Sequence, residues 1–402
     1  MAPEVFAKGT RPAPSDRVVI GLIGAGGLGR RHHLNSVLLP KKRVEVGAIC
    51  DVDRLHLEGA QADVLKRSGR TIPGYNDFRD LCDRPDIDAV LIAVPDHWHA
   101  LVSIYAASAG KDVYCEKPLS YTIAEGRAMV EAARRYGTVF QTGSQRRCQS
   151  QFRKACQLVR NGKIGKLLRV DTHLGPTEQG KWETPTAPPS ELDWNLWLGP
   201  APYMPYTKGR CHYSFRWFSD YSGGKLTDWG AHFNDIAQWG IGADHSGPVK
   251  VRGQGRFYNS GPHDVASEFH VTCTYDTGVE LHCHSDGDAG VRFTGSDGWI
   301  FADLQKIDCS NPELLRYEPT SGDVQLYWAR DHHDNWLDCI ASRERPVCDV
   351  EIGHRSATVC HLGNIAVRLR RELTWDPKIE RFVSDDEANR MLARPMRAPW
   401  RI

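Results

Sequence analysis

"GLIGAGGLGRRHH", Gly21 to His33, decides how the chain must begin. Gly24, Gly26 and Gly29 stand in G-x-G-x-x-G spacing, directly after the apolar run "VVIGLIG" (Val18 to Gly24) and at the start of a helical stretch. In that setting the first glycine permits a tight strand-to-helix turn, the second lets backbone approach a pyrophosphate, and the third lets the helix pack on the strand. Phosphate oxygens would then meet free N–H groups and the positive end of the helix dipole. The expected contacts are Gly24, Gly26, Gly27, Leu28 and Gly29. Asp51 ends the next apolar run, "VEVGAICD" (Val44 to Asp51), where a carboxylate can accept from both ribose hydroxyls of a dinucleotide. A 2′-phosphate would be repelled there, which favours NAD over NADP. Arg54 is the side chain that could still reach such a phosphate.

Further strand candidates follow at "DAVLIAVP" (Asp88 to Pro95), "KDVYCEKP" (Lys111 to Pro118) and "TVFQTG" (Thr138 to Gly143). Helical stretches separate them, among them Ser120 to Gly137, with Ser120 the expected N-cap and Gly137 the stop. This alternation predicts a parallel sheet covered on both faces. After a helix near Gln151 to Asn161 the pattern changes. "LLRVDTHL" (Leu167 to Leu174), "VKVRGQGRFY" (Val249 to Tyr258), "EFHVTCTYD" (Glu268 to Asp276) and "VELHCHS" (Val279 to Ser285) alternate polar and apolar residues, as half-covered antiparallel strands do. The stretch 177–221 between them is rich in Pro, Trp and Tyr. Near the end, a helix, a loop and a longer helix are expected to pack back on the first domain.

The chain of 402 residues suits two domains. Its 51 Lys and Arg against 50 Asp and Glu leave no net field for nucleic acid or an anionic membrane. The longest apolar runs fall short of the roughly 20 residues of a membrane span. Twelve scattered cysteines without a Cys-x-x-Cys pair read as free thiols, several inside strand-like runs.

Chemistry concentrates at two places. "CEKPLS" (Cys115 to Ser120) ends a strand, and ligands of open parallel sheets bind at strand carboxyl ends. Glu116 and Lys117 therefore stand beside the cofactor, where an ammonium can polarise a substrate oxygen. Behind the glycines of "SGGKLTDWGAHFNDIAQWGIG" (Ser222 to Gly242), Asp228 and His232 are four apart, sharing one helix face, with Asp235 three further on. His282 and His284 face one side of a strand, but no third ligand stands near them in sequence, and no metal is expected.

The glycine fingerprint, "VPDHWH" (Val94 to His99), "CEKP" (Cys115 to Pro118) and "DWGAH" (Asp228 to His232) together resemble the Gfo/Idh/MocA oxidoreductases, over nearly the whole chain. The resemblance implies an N-terminal Rossmann domain (17–145) after an irregular arm (1–16). It further implies a C-terminal α/β domain with a mostly antiparallel open sheet (146–385), here followed by an extended strap (386–402). It implies Lys117, Asp228 and His232 as the catalytic trio, a cis Lys-Pro bond, and Pro95 and His99 near the nicotinamide. In that scheme His232 takes a hydroxyl proton with an ordinary pKa near 6.5, Lys117 steadies the alkoxide, and Asp228 holds the hydroxyl or orients its neighbours.

Gln145 and Arg146 are expected in the cleft, with Arg147 facing outward. His212, Arg216 and Tyr221 precede the catalytic helix and are expected to hold a sugar.

The reaction implied is hydride transfer from a secondary hydroxyl of a sugar, glycoside or cyclic polyol to a tightly held NAD, in a homodimer or homotetramer. A redox-neutral NAD-dependent glycosidase is the alternative, and a non-catalytic sugar sensor the lesser one. The first residues also resemble the segment after a twin-arginine signal, an expectation of export that the free thiols oppose.

Overall fold

A computed structural model describes residues 17–402; the arm expected over 1–16 lies outside them. The first sheet contains β1 (Val18–Ile23), β2 (Val44–Cys50), β3 (Gly74–Tyr75), β4 (Ala89–Ile92), β5 (Asp112–Cys115) and β6 (Phe140–Thr142). Its order is β3-β2-β1-β4-β5-β6, all parallel, the doubly wound order whose direction reverses beside β1. Both faces are buried, so the strands are apolar throughout: Ile20, Leu22 and Val90 to Ile92 are all inaccessible or nearly so. Gly24 closes β1 with φ +91°, and a Cβ there would stand 2.6 Å from the Ala93 carbonyl oxygen. Only glycine fits. The helix Ile123–Tyr136 is capped by Thr122, whose hydroxyl accepts from the Glu125 N–H, rather than by Ser120. The Ser120 hydroxyl instead donates to the Thr122 carbonyl. Gly137, in the left-handed region, ends the helix as expected.

The second sheet has nine strands in the order β13-β12-β11-β7-β10-β9-β8-β14-β15. They are β7 (Leu167–His173), β8 (Lys250–Arg256), β9 (Glu268–Thr274), β10 (Glu280–His284), β11 (Gly290–Gly295), β12 (Trp299–Ala302), β13 (Ile307–Cys309), β14 (Leu373–Asp376) and β15 (Arg381–Phe382). All pairs are antiparallel except β7 with β10. One face carries Val170, Val271, Leu281 and Phe293, which pack with Phe152, Phe233, Ile236 and Leu362 from three helices. The other face carries the alternate residues, including His173, His270, His282 and His284. Strand pairing thus places His270 beside His282 and His284, a third imidazole that the sequence reading did not supply.

Late helices tie the halves together. Trp336, Leu337 and Ile340 of the helix His332–Ser342 join Ile20, Leu22 and Tyr114 in one cluster. Val350 and Ala357 of the helix Val350–Leu369 join Met129, Val130 and Phe140 in another. The expected strap opens instead with a short helix, Asp386–Arg390. Beyond it, Arg397 bonds Asn195 and Gly199, and Trp400 meets Trp98 edge to face at 4.7 Å.

The aromatic stretch 177–221 forms its own cluster from Leu192, Trp194, Trp197, Phe215 and Tyr221, among others. It docks by backbone on the segment after β2: Arg54 N–H donates to the Glu191 carbonyl and Asp193 N–H to the Val52 carbonyl, each at 2.9 Å. All twelve cysteines are free. Among the described residues no helix is long and apolar enough to cross a membrane.

Candidate active site

A cavity of about 770 Å³ runs from the glycine turn, past the carboxyl ends of β1 and β4, to the helix Gly230–Ile241. Gly24, Gly26, Gly27 and Leu28 line it. A Cβ on Gly26 would find only the His56 ring, at 3.8 Å, and one on Gly27 would meet nothing within 4 Å. The turn is therefore open to a ligand. Gly29 is packed inward, where a Cβ would fall 1.9 Å from the Gly24 carbonyl oxygen; it serves helix-on-strand packing. The helix that follows, Gly27–Leu38, is wound wide, with Leu39 N–H donating to Leu34 O five residues back, and no side chain caps its start.

Asp51 is anchored by two backbone donors, Ala25 N–H at 2.6 Å and Asp53 N–H at 2.8 Å. His56 Nδ1 stands 3.7 Å from its Oδ2, and the bond to Asp51 raises the imidazole pKa against the pull of burial. Arg54 was expected here. It turns along its own helix to Glu58, four residues on, at 2.8 Å and does not line the cavity.

At the other end, Lys117 enters from β5 across a cis bond to Pro118. Its Nζ lies 2.5 Å from Asp228 Oδ1 and 3.1 Å from the Asp228 carbonyl. Arg216 Nε is 3.5 Å from the same Oδ1. Burial alone would raise the Asp228 carboxyl, yet Lys117 and Arg216 hold it well below the usual carboxylate range. Asp228 itself sits behind Lys117 and is not part of the cavity wall, whereas Lys117, Arg216 and His232 are. His232 is 8% exposed, and its Nδ1 is buried without a hydrogen-bond partner. Burial, then the charges of Lys117 and Arg146, push its pKa down to about 3. The imidazole is thus neutral near pH 7 and far from the ordinary value expected of it.

Glu116 also lines the cavity. Its Oε1 lies 3.0 Å from His33 Nε2, and its Oε2 accepts from Lys117 N–H at 3.1 Å. Burial opposes ionisation there, but His33 brings the pKa down to about 2. His33, on the inner face of the first helix, was not anticipated; its signal is the adjacent His-His in "GRRHH". Pro95 and His99 line the cavity too. His99 bridges the carbonyls of Pro118 at 2.7 Å and Val94 at 2.9 Å, joining the loop after β4 to the Lys-Pro bond.

The remaining expected contacts divide. Gln145 lines the cavity with its Oε1 buried and unpartnered. Arg146 does not line it, though it stands near enough to act on His232. Arg147 is 1% exposed rather than outward-facing, clamped by Asp235 and Asp244, each at 2.8 Å. Asp235 is therefore spent on a core ion pair. His212 lines the cavity, but at the end near Asp51 and Asp53. With φ +50° it puts Nε2 3.4 Å from Asp53 Oδ2 and its ring 4.7 Å from His56. Tyr221 is inaccessible, packed on His97 and Trp197, and off the cavity. Trp197, Tyr213 and Phe215, all of the aromatic stretch, line it instead.

Residues 18–144 match the family model described as "Oxidoreductase family, NAD-binding Rossmann fold" and residues 143–402 its "C-terminal alpha/beta domain". The chain is 36% identical over 156 residues to the uncharacterized oxidoreductase YrbE of Bacillus subtilis, covering 38% of this chain and 44% of that one. It is 31% identical over 169 residues to the inositol 2-dehydrogenase of Salmonella typhimurium, covering 42% and 49%. The chain thus matches less than half the length of these relatives. Among solved structures, the WlbA dehydrogenase of Bordetella pertussis, in complex with NADH and UDP-GlcNAcA, superposes with TM-score 0.67 at 17% identity, over 90% of this chain and 99% of that one. This likeness is one of fold.

Proposed function

Because the chain belongs to the Gfo/Idh/MocA oxidoreductase family, we propose that it oxidises a secondary hydroxyl of a sugar, glycoside or cyclic polyol, using NAD. The observation that carries this reading is that Lys117 and His232, from the two halves of the chain, line one cavity together with the open glycine turn. The residues present fit a dinucleotide. Gly26 and Gly27 leave room for a pyrophosphate, and the anchored Asp51 offers a carboxylate to ribose hydroxyls. Arg54, the guanidinium expected to reach a 2′-phosphate, is turned away to Glu58.

Bound there, a nicotinamide supplies the acceptor for the hydride that leaves the carbinol carbon. His232, neutral and buried, is placed to receive the hydroxyl proton, its basicity rising from a pKa of about 3 as the forming alkoxide offsets the Lys117 charge that helps depress it. Lys117, its side chain largely buried, donates to the oxygen as negative charge develops on it. Asp228 keeps Lys117 aimed and Arg216 close. The trio from the sequence thus takes two roles: Lys117 and His232 face the substrate, and Asp228 positions Lys117.

A second reading has support of its own. The stretch 177–221 is bonded to Val52 and Arg54 beside Asp51, where it would hinder cofactor exchange, and its Tyr213 and Phe215 offer aromatic walls to an aglycone. A retained cofactor suits a redox-neutral glycosidase: oxidation of one carbon acidifies the neighbouring C–H, the glycosidic substituent leaves, water adds and the hydride returns.

The test is to denature the purified protein, identify the released dinucleotide, and assay a panel of free sugars, cyclic polyols and aryl glycosides with and without added NAD. Net oxidation requires added NAD and accumulates reduced cofactor; hydrolysis needs none and accumulates none. No turnover on the panel, or turnover unaffected by Lys117→Ala and His232→Ala, overturns the proposal.

A further inference from the structure

The open face of the nine-stranded sheet gathers imidazoles from three neighbouring strands. His270 on β9 is directly opposite His284 on β10, and His284 is level with His173 on β7. His282 lies two residues before His284. The rings of His173, His284, His270 and His282 stack in series with centroids 4.8, 4.6 and 5.5 Å apart.

Their nitrogens are not equivalent. His282 Nε2 lies 2.9 Å from Glu280 Oε2, and His284 Nε2 lies 3.1 Å from Asp171 Oδ1. A carboxylate accepting from one ring nitrogen fixes the tautomer and leaves a lone pair on the other, the usual arrangement of metal-binding histidines. For both residues the nitrogen left over is Nδ1. His282 Nδ1 faces His270 Nε2 at 3.3 Å, with Thr272 Oγ1 at 3.5 Å. That spacing suits two nitrogens each about 2.0–2.1 Å from one tetrahedral ion. A ring nitrogen from each of His270, His282 and His284 lies within 4.8 Å of the other two. His173 is engaged elsewhere, at the Asp286 carbonyl.

We propose that His270, His282 and His284 form a binding site for a divalent transition ion of the zinc, nickel or copper class, oriented by Glu280 and Asp171. Imidazole nitrogens suit these ions, whereas calcium and magnesium require oxygen ligands. Parallel rings do not converge on one point. His282 and His284 are themselves parallel within 14°, so seating the ion requires both His270, the exposed member, and His284, the half-buried one, to turn toward His282. Three ligands leave a coordination position for water. None of these residues lines the nicotinamide cavity, so this site stands or falls apart from the function proposed above. Two other clusters converge but serve other ends. Both ring nitrogens of His33 are engaged, by Glu116 and His333, and Asp53, His56 and His212 belong to the dinucleotide cavity.

The test uses the full chain stripped with a chelator. Zn²⁺ is titrated in competition with a chromophoric chelator, and Co²⁺ is followed by its ligand-field spectrum. One ion per chain is expected, with an imidazole-type Co²⁺ spectrum and a melting temperature raised by Zn²⁺. His270→Ala, at an exposed position, removes the spectrum and the stabilisation. Glu280→Gln weakens Zn²⁺ by about tenfold or more. His173→Ala leaves binding unchanged. Absence of competition, or wild-type stoichiometry and affinity in His270→Ala, overturns the proposal. Because His282→Ala removes a buried ring and can misfold, the test rests on the other variants.

Discussion

Lys117 and Asp228, 111 residues apart, form an ion pair of 2.5 Å in which both side chains are only 12% exposed. Removing either partner strands the other in a place where water is scarce. Lys117→Met is expected to lower kcat by at least 10²-fold, the scale of losing one preorganised donor. It is also expected to cost roughly 3–5 kcal/mol of stability, because a buried carboxylate loses its main partner. Asp228→Asn keeps the shape and leaves Lys117 in place, so its loss of kcat is the smaller. Steady-state kinetics beside urea denaturation separate the two effects.

Acid should destabilise the protein early. His97 and His232 are pushed down to about 3, His332 and His361 to about 4, in each case first by burial. Unfolded histidines titrate near 6.5. Between that value and the folded values the unfolded chain binds more protons at these four sites, so the stability they contribute is fully present above about pH 6.5 and declines as pH falls toward 4. Thermal melts across this window are expected to show a steep fall before most carboxylates titrate. His361→Gln, which can still donate to the Ser120 carbonyl now 3.0 Å from Nε2, should flatten it. An unchanged slope would contradict the assignment.

Cofactor preference should follow Asp51. Asp51→Ser keeps a small acceptor for the Ala25 and Asp53 amides but removes the charge. The ratio of kcat/KM for NAD to that for NADP is expected to fall by at least about tenfold, or 1.4 kcal/mol. Arg54→Ala, at a side chain paired with Glu58 outside the cavity, should leave the ratio alone.

The glycine turn makes a paired prediction. Gly29→Ala forces a Cβ against the Gly24 carbonyl oxygen and should abolish dinucleotide retention, measured as cofactor released on denaturation. Gly27→Ala meets no protein atom within 4 Å, so any loss it causes reports on the ligand itself.

Where structure follows local rules, the sequence was a good guide. The glycine spacing and the apolar runs located the first sheet, and the family resemblance carried by "CEKP" and "DWGAH" grouped Lys117, Asp228 and His232, which the fold brings together. Two misreadings are local, the cap at Thr122 rather than Ser120 and Arg54 turning to Glu58 on its own helix; the others are matters of distant contact. Arg147 looks like a surface charge until Asp235, 88 residues on, is folded against it. Tyr221 and His212 sit close to the catalytic helix in sequence, but the aromatic stretch carries one into its own core and the other to Asp53. His270 and His282 are twelve residues apart, and only the β9–β10 hairpin makes them neighbours. The low pKa of His232 likewise depends on what surrounds it.

Trp336 is fully buried among residues of the first sheet, although it arrives almost two hundred residues after that sheet is complete. Its truncation to Ala should cost about 3–5 kcal/mol and should loosen the half to which it does not belong in sequence. A fragment ending near residue 145 would expose that vacancy to solvent, so the nucleotide-binding half cannot be expected to survive excision. The two halves should melt in a single cooperative step, and during synthesis the first must wait for the last quarter of the polypeptide before it is whole.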